Sequence, residues 1–173
     1  MENTEEGLRL TELRRYEILD SPPDGAYDEI TSLAAEVFNV PIAIITLVDS
    51  DRIWFKSAHG LDIEQIDNGP GLCVSAILSD DVHIVEDART DPRALANPLV
   101  TGMLGLQFYA AAPLITKGGY KLGTFCIIDT NPRLLSAKES SMLRRFSRIV
   151  MDHFELRLQS RMLVKEMHQK SKN

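Results

Sequence analysis

Two thiols, four imidazoles and a run of polar side chains between positions 87 and 107 carry most of the reactive or ligand-recognising groups of this sequence. Cys73 follows Gly69-Pro70-Gly71-Leu72 and precedes Val74 to Leu78, a stretch suited to a short helix. A thiolate is stabilised near a helix N-terminus. The competing reading is a cysteine packed at the base of a pocket. Cys126 lies in the middle of a predicted strand and reads as a small buried hydrophobe. His59, His83, His153 and His168 are dispersed and poor in neighbouring carboxylates or thiolates, so no metal site is expected. Asp87, Arg89, Asp91, Arg93, Asn97, Thr101 and Gln107 concentrate polar groups in one segment. A few such groups over an apolar floor suit a small-ligand pocket. Taken singly, Asp91-Pro92 and Asn97-Pro98 are also turn initiators, and Arg93 suits a solvated position. Trp54, on a predicted strand, is either core or a pocket platform, and a buried indole N–H needs a partner. The candidate ligand-binding set is Trp54, Cys73, Asp87, Arg93, Asn97, Thr101, Gln107 and Tyr109.

The floor for such a pocket is predicted by Phe108 to Asp129. Two apolar runs flank Gly118-Gly119, a pair that supplies the positive φ of a tight turn, so the stretch is read as a β-hairpin. With a two-residue loop, Leu114 opposes Gly123, Ala112 opposes Phe125 and Ala110 opposes Ile127. On the other face Tyr109 opposes Ile128, Ala111 opposes Cys126, Pro113 opposes Thr124 and Ile115 opposes Leu122. Neither face is polar enough for water, so the hairpin is expected in the centre of a sheet, with helices on one side and a second cover on the other.

Leu8, Leu10, Leu13, Tyr16 and Leu19 mark a first helix, stopped by Ser21-Pro22-Pro23-Asp24-Gly25. Asp24 is the predicted N-cap of a second helix whose apolar stripe is Tyr27, Ile30, Ala34 and Val37. Ile42 to Val48 and Arg52 to His59 form a hairpin turned by Asp49-Ser50-Asp51. His83 to Glu86 is a short strand. Residues 87–107, interrupted by Pro92, Pro98, Gly102 and Gly105, hold at most short helical turns and are the candidate lid. Ser136-Ala137-Lys138-Glu139 has capping-box spacing and opens a long helix. Along it Met142, Phe146, Ile149, His153, Leu156, Ser160, Leu163 and Met167 alternate spacings of four and three, a coiled-coil seam with polar interruptions at His153 and Ser160. A neutral His153 tolerates partial burial, and its protonation would loosen a helix pair. Arg157, Arg161 and Lys165 form a like-charge row. Its partners are expected among Glu5, Glu6 and Glu12, or else the row is simply solvated.

A chain of 173 residues with net charge −6 suits one domain and disfavours a nucleic-acid groove or an anionic membrane surface as its main partner. The longest apolar run, Val40 to Val48, falls well short of the roughly 20 residues of a membrane helix. The acidic N-terminus does not resemble a secretory signal, so a cytoplasmic protein is expected.

Several motifs in order resemble the GAF domain: LRRYEILDSPPDGAY at Leu13 to Tyr27, VPIAIITLVDSDRIWFKSAHGLD at Val40 to Asp62, VEDARTDPRALANPLVTG at Val85 to Gly102, and YKLGTFCIIDTNPR at Tyr120 to Arg133. They are similar to the GAF modules that precede bacterial histidine kinases and diguanylate cyclases. The resemblance implies an α/β (α+β) fold with a central six-stranded antiparallel sheet, terminal helices on one face and a loop-covered pocket on the other. It also implies a further short strand between Gly60 and Leu72. The expected division is an N-terminal helix and linker at 1–23, the GAF domain at 24–158, and a helical extension at 159–173.

Known activities of the family leave few matches. No Asn-Lys pair of the cyclic-nucleotide-binding type occurs, and no cysteine stands between Val74 and Phe125 where a bilin would attach. Gly69-Pro70-Gly71-Leu72-Cys73 resembles a segment of the free methionine-R-sulfoxide reductases, whose catalytic cysteine would fall near Gly102, where this chain has none. The expectation is a non-catalytic, small-molecule-sensing module of bacterial signal transduction that forms a homodimer. Its dimer and signalling helix would use Phe146, Ile149, His153, Leu156 and Leu163, and its ligand is an unidentified small molecule. Its output is a separate kinase or cyclase partner, or a domain of a longer protein from which this chain is a part. A thiol redox enzyme using Cys73 and a purely structural dimerisation module are the alternatives.

Overall fold

Capping residues set the first two helices. Thr4 Oγ1 accepts from Gly7 N at 3.1 Å and opens α1, Glu5–Arg15. Asp24 Oδ1 accepts from Ala26 N at 2.9 Å and opens α2, Gly25–Phe38, as its side chain predicts. In this computed structural model, which describes residues 4–67, 72–95 and 105–173 except the side chains of Arg93 and Leu95, α1 ends earlier than its apolar spacing suggests. Glu17 and Asp20 adopt left-handed φ of 54° and 61°, so Tyr16 and Ile18 enter the core from a turn. Leu8 is exposed, and the buried position beside it belongs to Arg9, whose guanidinium is held by Glu6 at 2.7 Å and by the Val48 carbonyl at 2.8 Å. The α2 stripe is also rotated from expectation. Tyr27, Thr31, Ala34 and Phe38 face inward and Val37 is exposed, which places the larger Phe38 ring in the core.

The remaining elements are β1 (Ile42–Val48), β2 (Arg52–His59), β3 (Gln65–Asp67), α3 (Leu72–Ala76), β4 (His83–Val85), α4 (Pro92–Leu95), β5 (Phe108–Ile115), β6 (Lys121–Asp129) and α5 (Ala137–Ser171). The strands form one six-stranded sheet in the order β3-β2-β1-β6-β5-β4, with every described pairing antiparallel. β1 and β2 have their predicted limits, and β3 is the additional strand that the family resemblance implied. α3 starts two residues earlier than expected and so contains Cys73. α5 opens with a complete capping box between Ser136 and Glu139.

In the central hairpin the predicted pairs from Tyr109–Ile128 to Leu114–Gly123 are all present. The turn differs. Thr116 N donates to Tyr120 O at 2.9 Å and Gly119 N to Thr116 O at 2.9 Å, closing a three-residue loop with Gly119 at φ 88°. A type I turn followed by a left-handed glycine closes such loops. Ile115 consequently pairs with Lys121, and Leu122 becomes the unpaired residue of a bulge that turns its side chain into the core. Gly123 is required by packing: a Cβ there would stand 1.9 Å from the Thr46 carbonyl oxygen of β1.

Alternation along the strands divides the core into two. On the first face, Ala43, Ile45, Leu47, Phe108, Leu114, Phe125 and Ile127 pack beneath α1, α2 and α5. On the second, Ile42, Ile44, Phe55, Tyr109, Ala111, Cys126 and Ile128 pack beneath α3 and the segment carrying Ala88, Ala94 and Leu106. The hairpin is thus covered on both sides, by helices on one and by α3 with the loop on the other.

Candidate functional site

The second face owes its chemistry to strand alternation. Thr46 of β1, Thr124 and Cys126 of β6, and Tyr109 of β5 all point to it, among aliphatic neighbours. The Thr46 and Thr124 hydroxyls are 2.7 Å apart, and Thr124 N donates to Thr46 Oγ1 at 3.1 Å, a side-chain substitute for a ladder bond beside the point where Lys56 of β2 is left unpaired opposite Ile45/Thr46. Cys73 descends from α3, and the Tyr109 hydroxyl donates to its Sγ at 3.3 Å. His83 of β4 meets the Tyr109 ring edge-on at 6.2 Å between centroids. Cys126 adds a second free, buried thiol to the same cluster as Cys73.

These contacts make the two thiols unequal. Hydrogen bonds from Cys126, Tyr109, Thr124 and Thr46 favour a Cys73 thiolate against the cost of its burial. Cys126 is pushed well above the usual thiol range by its bond to Cys73 and by burial. Tyr109 is raised by burial and by the adjoining sulfurs.

The rim is built by the candidate lid. Asp87 receives Arg89 through Nε at 3.0 Å and Nη2 at 2.8 Å, which holds its carboxyl below the usual carboxylate range. Ala88 N donates to Gln107 O at 2.6 Å, and Gln107 N donates to Asp129 O at 2.9 Å, so both ends of the segment are tied to the start of the central hairpin. Gln107 Oε1 is shielded from solvent and accepts no hydrogen bond among the described residues. A cleft of about 470 Å³ opens outside this rim, lined by Ile84, Glu86, Asp87, Thr90, Asp91 and Pro92.

Of the predicted ligand set, Cys73, Tyr109 and Gln107 gather around the second face, with Asp87 at its edge. Arg93 contributes only its backbone position in α4, and Asn97 and Thr101 lie outside the described residues. Trp54 belongs elsewhere. Its place in β2 directs it to the helix-covered first face, where the Lys56 ammonium stands 5.9 Å from its ring. Among the described residues no group of three or more His, Cys, Asp or Glu is placed to hold a metal ion.

The long helix presents two characters. Leu143, Ser147, Val150, Phe154 and Leu158 form its inward face, one position on from the predicted seam as far as Phe154 and two at Leu158. Phe146, at the border, stacks on Phe125 with centroids 5.3 Å apart and tilts against Phe38 at 5.7 Å, so it serves this chain's own core. His153 meets the Tyr27 ring edge-on at 5.9 Å. Ile149, Leu156 and Leu163 are exposed. The basic row pairs with Glu17 and not with α1: Glu6 is engaged by Arg9 and Glu12 by Arg15, while the left-handed turn delivers Glu17 to Arg161 and Lys165. Arg157 Nη1 donates to the Tyr16 carbonyl at 2.9 Å, and the Tyr16 hydroxyl donates to Glu155.

Two features escaped the sequence reading. Lys56 is buried, its Nζ donating to Ser21 Oγ and Pro22 O at 2.8 Å each and lying 5.2 Å from the Tyr27 ring. Burial lowers its pKa. No sequence signal singled it out. The shared cluster of Cys126 and Cys73 had a signal, because the predicted register already placed Cys126 on the face of Tyr109.

Residues 22–153 match the family model of the GAF domain. The chain is 42% identical over 135 residues to a cyclic di-GMP phosphodiesterase of Pseudomonas aeruginosa, an alignment that covers 78% of this chain and 23% of that relative. The chain therefore spans about a quarter of the length of the curated relative it matches. Among solved structures, a free methionine-R-sulfoxide reductase from Neisseria meningitidis superposes with TM-score 0.66 at 18% identity, covering 91% of this chain and 95% of that one. The domain of a two-component sensor histidine kinase protein from Sinorhizobium meliloti superposes with TM-score 0.61 at 19% identity, covering 84% and 96%. At these identities the likeness is one of fold.

Proposed function

Because the chain belongs to the GAF domain family, we propose that it is a small-molecule-sensing and dimerising regulatory module of bacterial signal transduction, not itself catalytic. The observation that carries this reading is the outer surface of α5. Ile149, Leu156, Leu163 and Met167 recur there at spacings of seven, seven and four, each between 44% and 69% exposed, on a helix that continues past its last buried residue, Leu158. An apolar strip of that period on a solvated helix fits a parallel partner of the same sequence. The seam of the dimer is then Ile149, Leu156, Leu163 and Met167, flanked by His153, with Phe146 supporting it from the core.

The ligand would lie against the second face, contacted by Cys73 from α3, by Gln107 and Tyr109 from the sheet side, and by Asp87 at the rim. A ligand that contacts the lid more favourably in one helix arrangement biases the dimer towards it, by no more than that differential affinity. A kinase, a cyclase or a phosphodiesterase domain suits the output, the last because the Pseudomonas relative carries that name. The acidic composition, with a net charge of −6, supports a cytoplasmic setting, and no helix among the described residues is long and apolar enough to cross a membrane. Cys73, only 6% exposed, supports a packed thiol over a substrate-facing nucleophile.

Sedimentation equilibrium tests the reading. The wild-type chain is expected as a dimer, and the double substitution Leu156→Glu, Leu163→Glu as a folded monomer. A monomeric wild type at tens of micromolar, or a variant still dimeric, overturns it.

A further inference from the structure

The second face brings the chain's two thiols together from opposite layers. Cys73 belongs to the one-turn helix α3 that roofs the face, and Cys126 to β6 at the centre of the sheet beneath it. Both side chains belong to one buried cluster, α3 packs across β6, and the Tyr109 hydroxyl donates to the Cys73 sulfur from the adjacent strand at 3.3 Å. Both thiols are free and buried. Nothing in the sensory reading above requires two sulfurs to meet there.

We propose that Cys73 and Cys126 form an oxidisable dithiol that closes to an intramolecular disulfide on reaction with a peroxide, fastening α3 to the central sheet. The Cys73 thiolate attacks a peroxide oxygen. The O–O bond breaks, hydroxide leaves and takes up a proton, and the sulfur becomes a sulfenic acid, oxidised by two electrons as the peroxide is reduced. The Cys126 sulfur then attacks the sulfenic sulfur. The S–S bond forms, the S–O bond breaks, and the hydroxyl departs with the Cys126 proton as water. A dithiol reductant returns both thiols.

The surroundings set the order of events. Cys73 reacts first because it sits on the short roofing helix and its sulfur receives the Tyr109 hydroxyl at 3.3 Å, whereas Cys126 lies buried within the central strand β6. The resolving thiol lies in the same buried cluster beneath α3, so closure competes with further oxidation. Entry of peroxide needs only a local opening, and α3, at five residues, is too short to persist without its packing. Once closed, the disulfide fixes the roof to the floor, so oxidation and ligand entry compete for the same face.

Titrating the full chain with hydrogen peroxide tests the proposal, with free thiols counted by alkylation and peptides mapped without reductant. The expected result is parallel loss of both thiols, a chain lighter by two hydrogens, and a peptide joining Cys73 to Cys126 that dithiothreitol separates. In Cys126→Ala the Cys73 sulfenic acid should persist and be trapped by dimedone. Should that variant not fold, the wild-type peptide map decides alone. A disulfide between two chains, a sulfinic acid at Cys73 with Cys126 still reduced, or two free thiols after excess peroxide overturns the proposal.

Discussion

Glu17 Oε2 accepts from Arg161 Nε at 2.9 Å, tying the turn after the first helix to the far part of the last. The same carboxylate takes Lys165 at 3.0 Å, and it is delivered by a left-handed backbone at φ 54°. Lys165 and then Arg161 hold the Glu17 carboxyl below its ordinary value of 4.5. A carboxyl with a depressed folded pKa contributes above 4.5 and loses that contribution as pH falls towards the lower folded value. Glu17→Gln is expected to lower amide protection in residues 158–166 at neutral pH, with the difference from wild type fading below pH 4.5. Equal protection at neutral pH would show that the clasp does not hold the helix.

Phe146 and Leu156 lie on the same helix, yet their losses should be felt differently. Removing the ring stacked between Phe38 and Phe125 is expected to cost about 3 kcal/mol in urea unfolding, near the lower end for a phenylalanine truncation because Phe146 is only partly buried. Leu156→Ala, at an exposed site, should change monomer stability by less than about 0.5 kcal/mol. Comparable losses at the two sites would mean that the helix faces are assigned wrongly.

The glycines of the central hairpin are not equivalent. Gly123→Ala places a Cβ 1.9 Å from the Thr46 oxygen and should cost more than about 3 kcal/mol, or prevent folding. At Gly119 the obstacle is a φ of 88°, with no atom within 4 Å, and alanine there should cost about 1–2 kcal/mol. Thermal melts of the two variants test the ranking.

Much of this architecture was legible because the sequence alternates so strongly. The two-faced apolar hairpin predicted six of its seven proposed pairs, and the capping residues Asp24 and Ser136 announced two helix starts. Details set by backbone conformation were not legible. Nothing in Thr116-Lys117-Gly118-Gly119 decides between a two-residue and a three-residue loop, and the difference moved Ile115 from Leu122 to Lys121. The left-handed turn at Glu17 likewise redirected the basic row to an acid outside the first helix. Of the candidate site, Cys73 and Tyr109 were recognised as members but not as partners, because their contact depends on how α3 lands across the sheet. Trp54 reads in the sequence as either core or pocket platform, and strand parity sends it to the helix-covered core.

Alkaline pH should unfold the protein through its buried phenols. Burial pushes the Tyr27 hydroxyl from 10.0 up to about 12. A phenol with a raised folded pKa favours the fold up to its unfolded value and loses that contribution as pH climbs towards the folded one. Stability should therefore fall between pH 10 and 12, and Tyr27→Phe should flatten the slope. An unchanged slope in that variant would assign the loss to other groups.

The sensory reading is tested most directly by native mass spectrometry of freshly purified protein. The expected spectrum shows the chain carrying a small-molecule adduct that Gln107→Leu loses while its circular dichroism stays native. A bare chain mass in every preparation, unchanged by the substitution, would contradict a ligand-binding role for the second face.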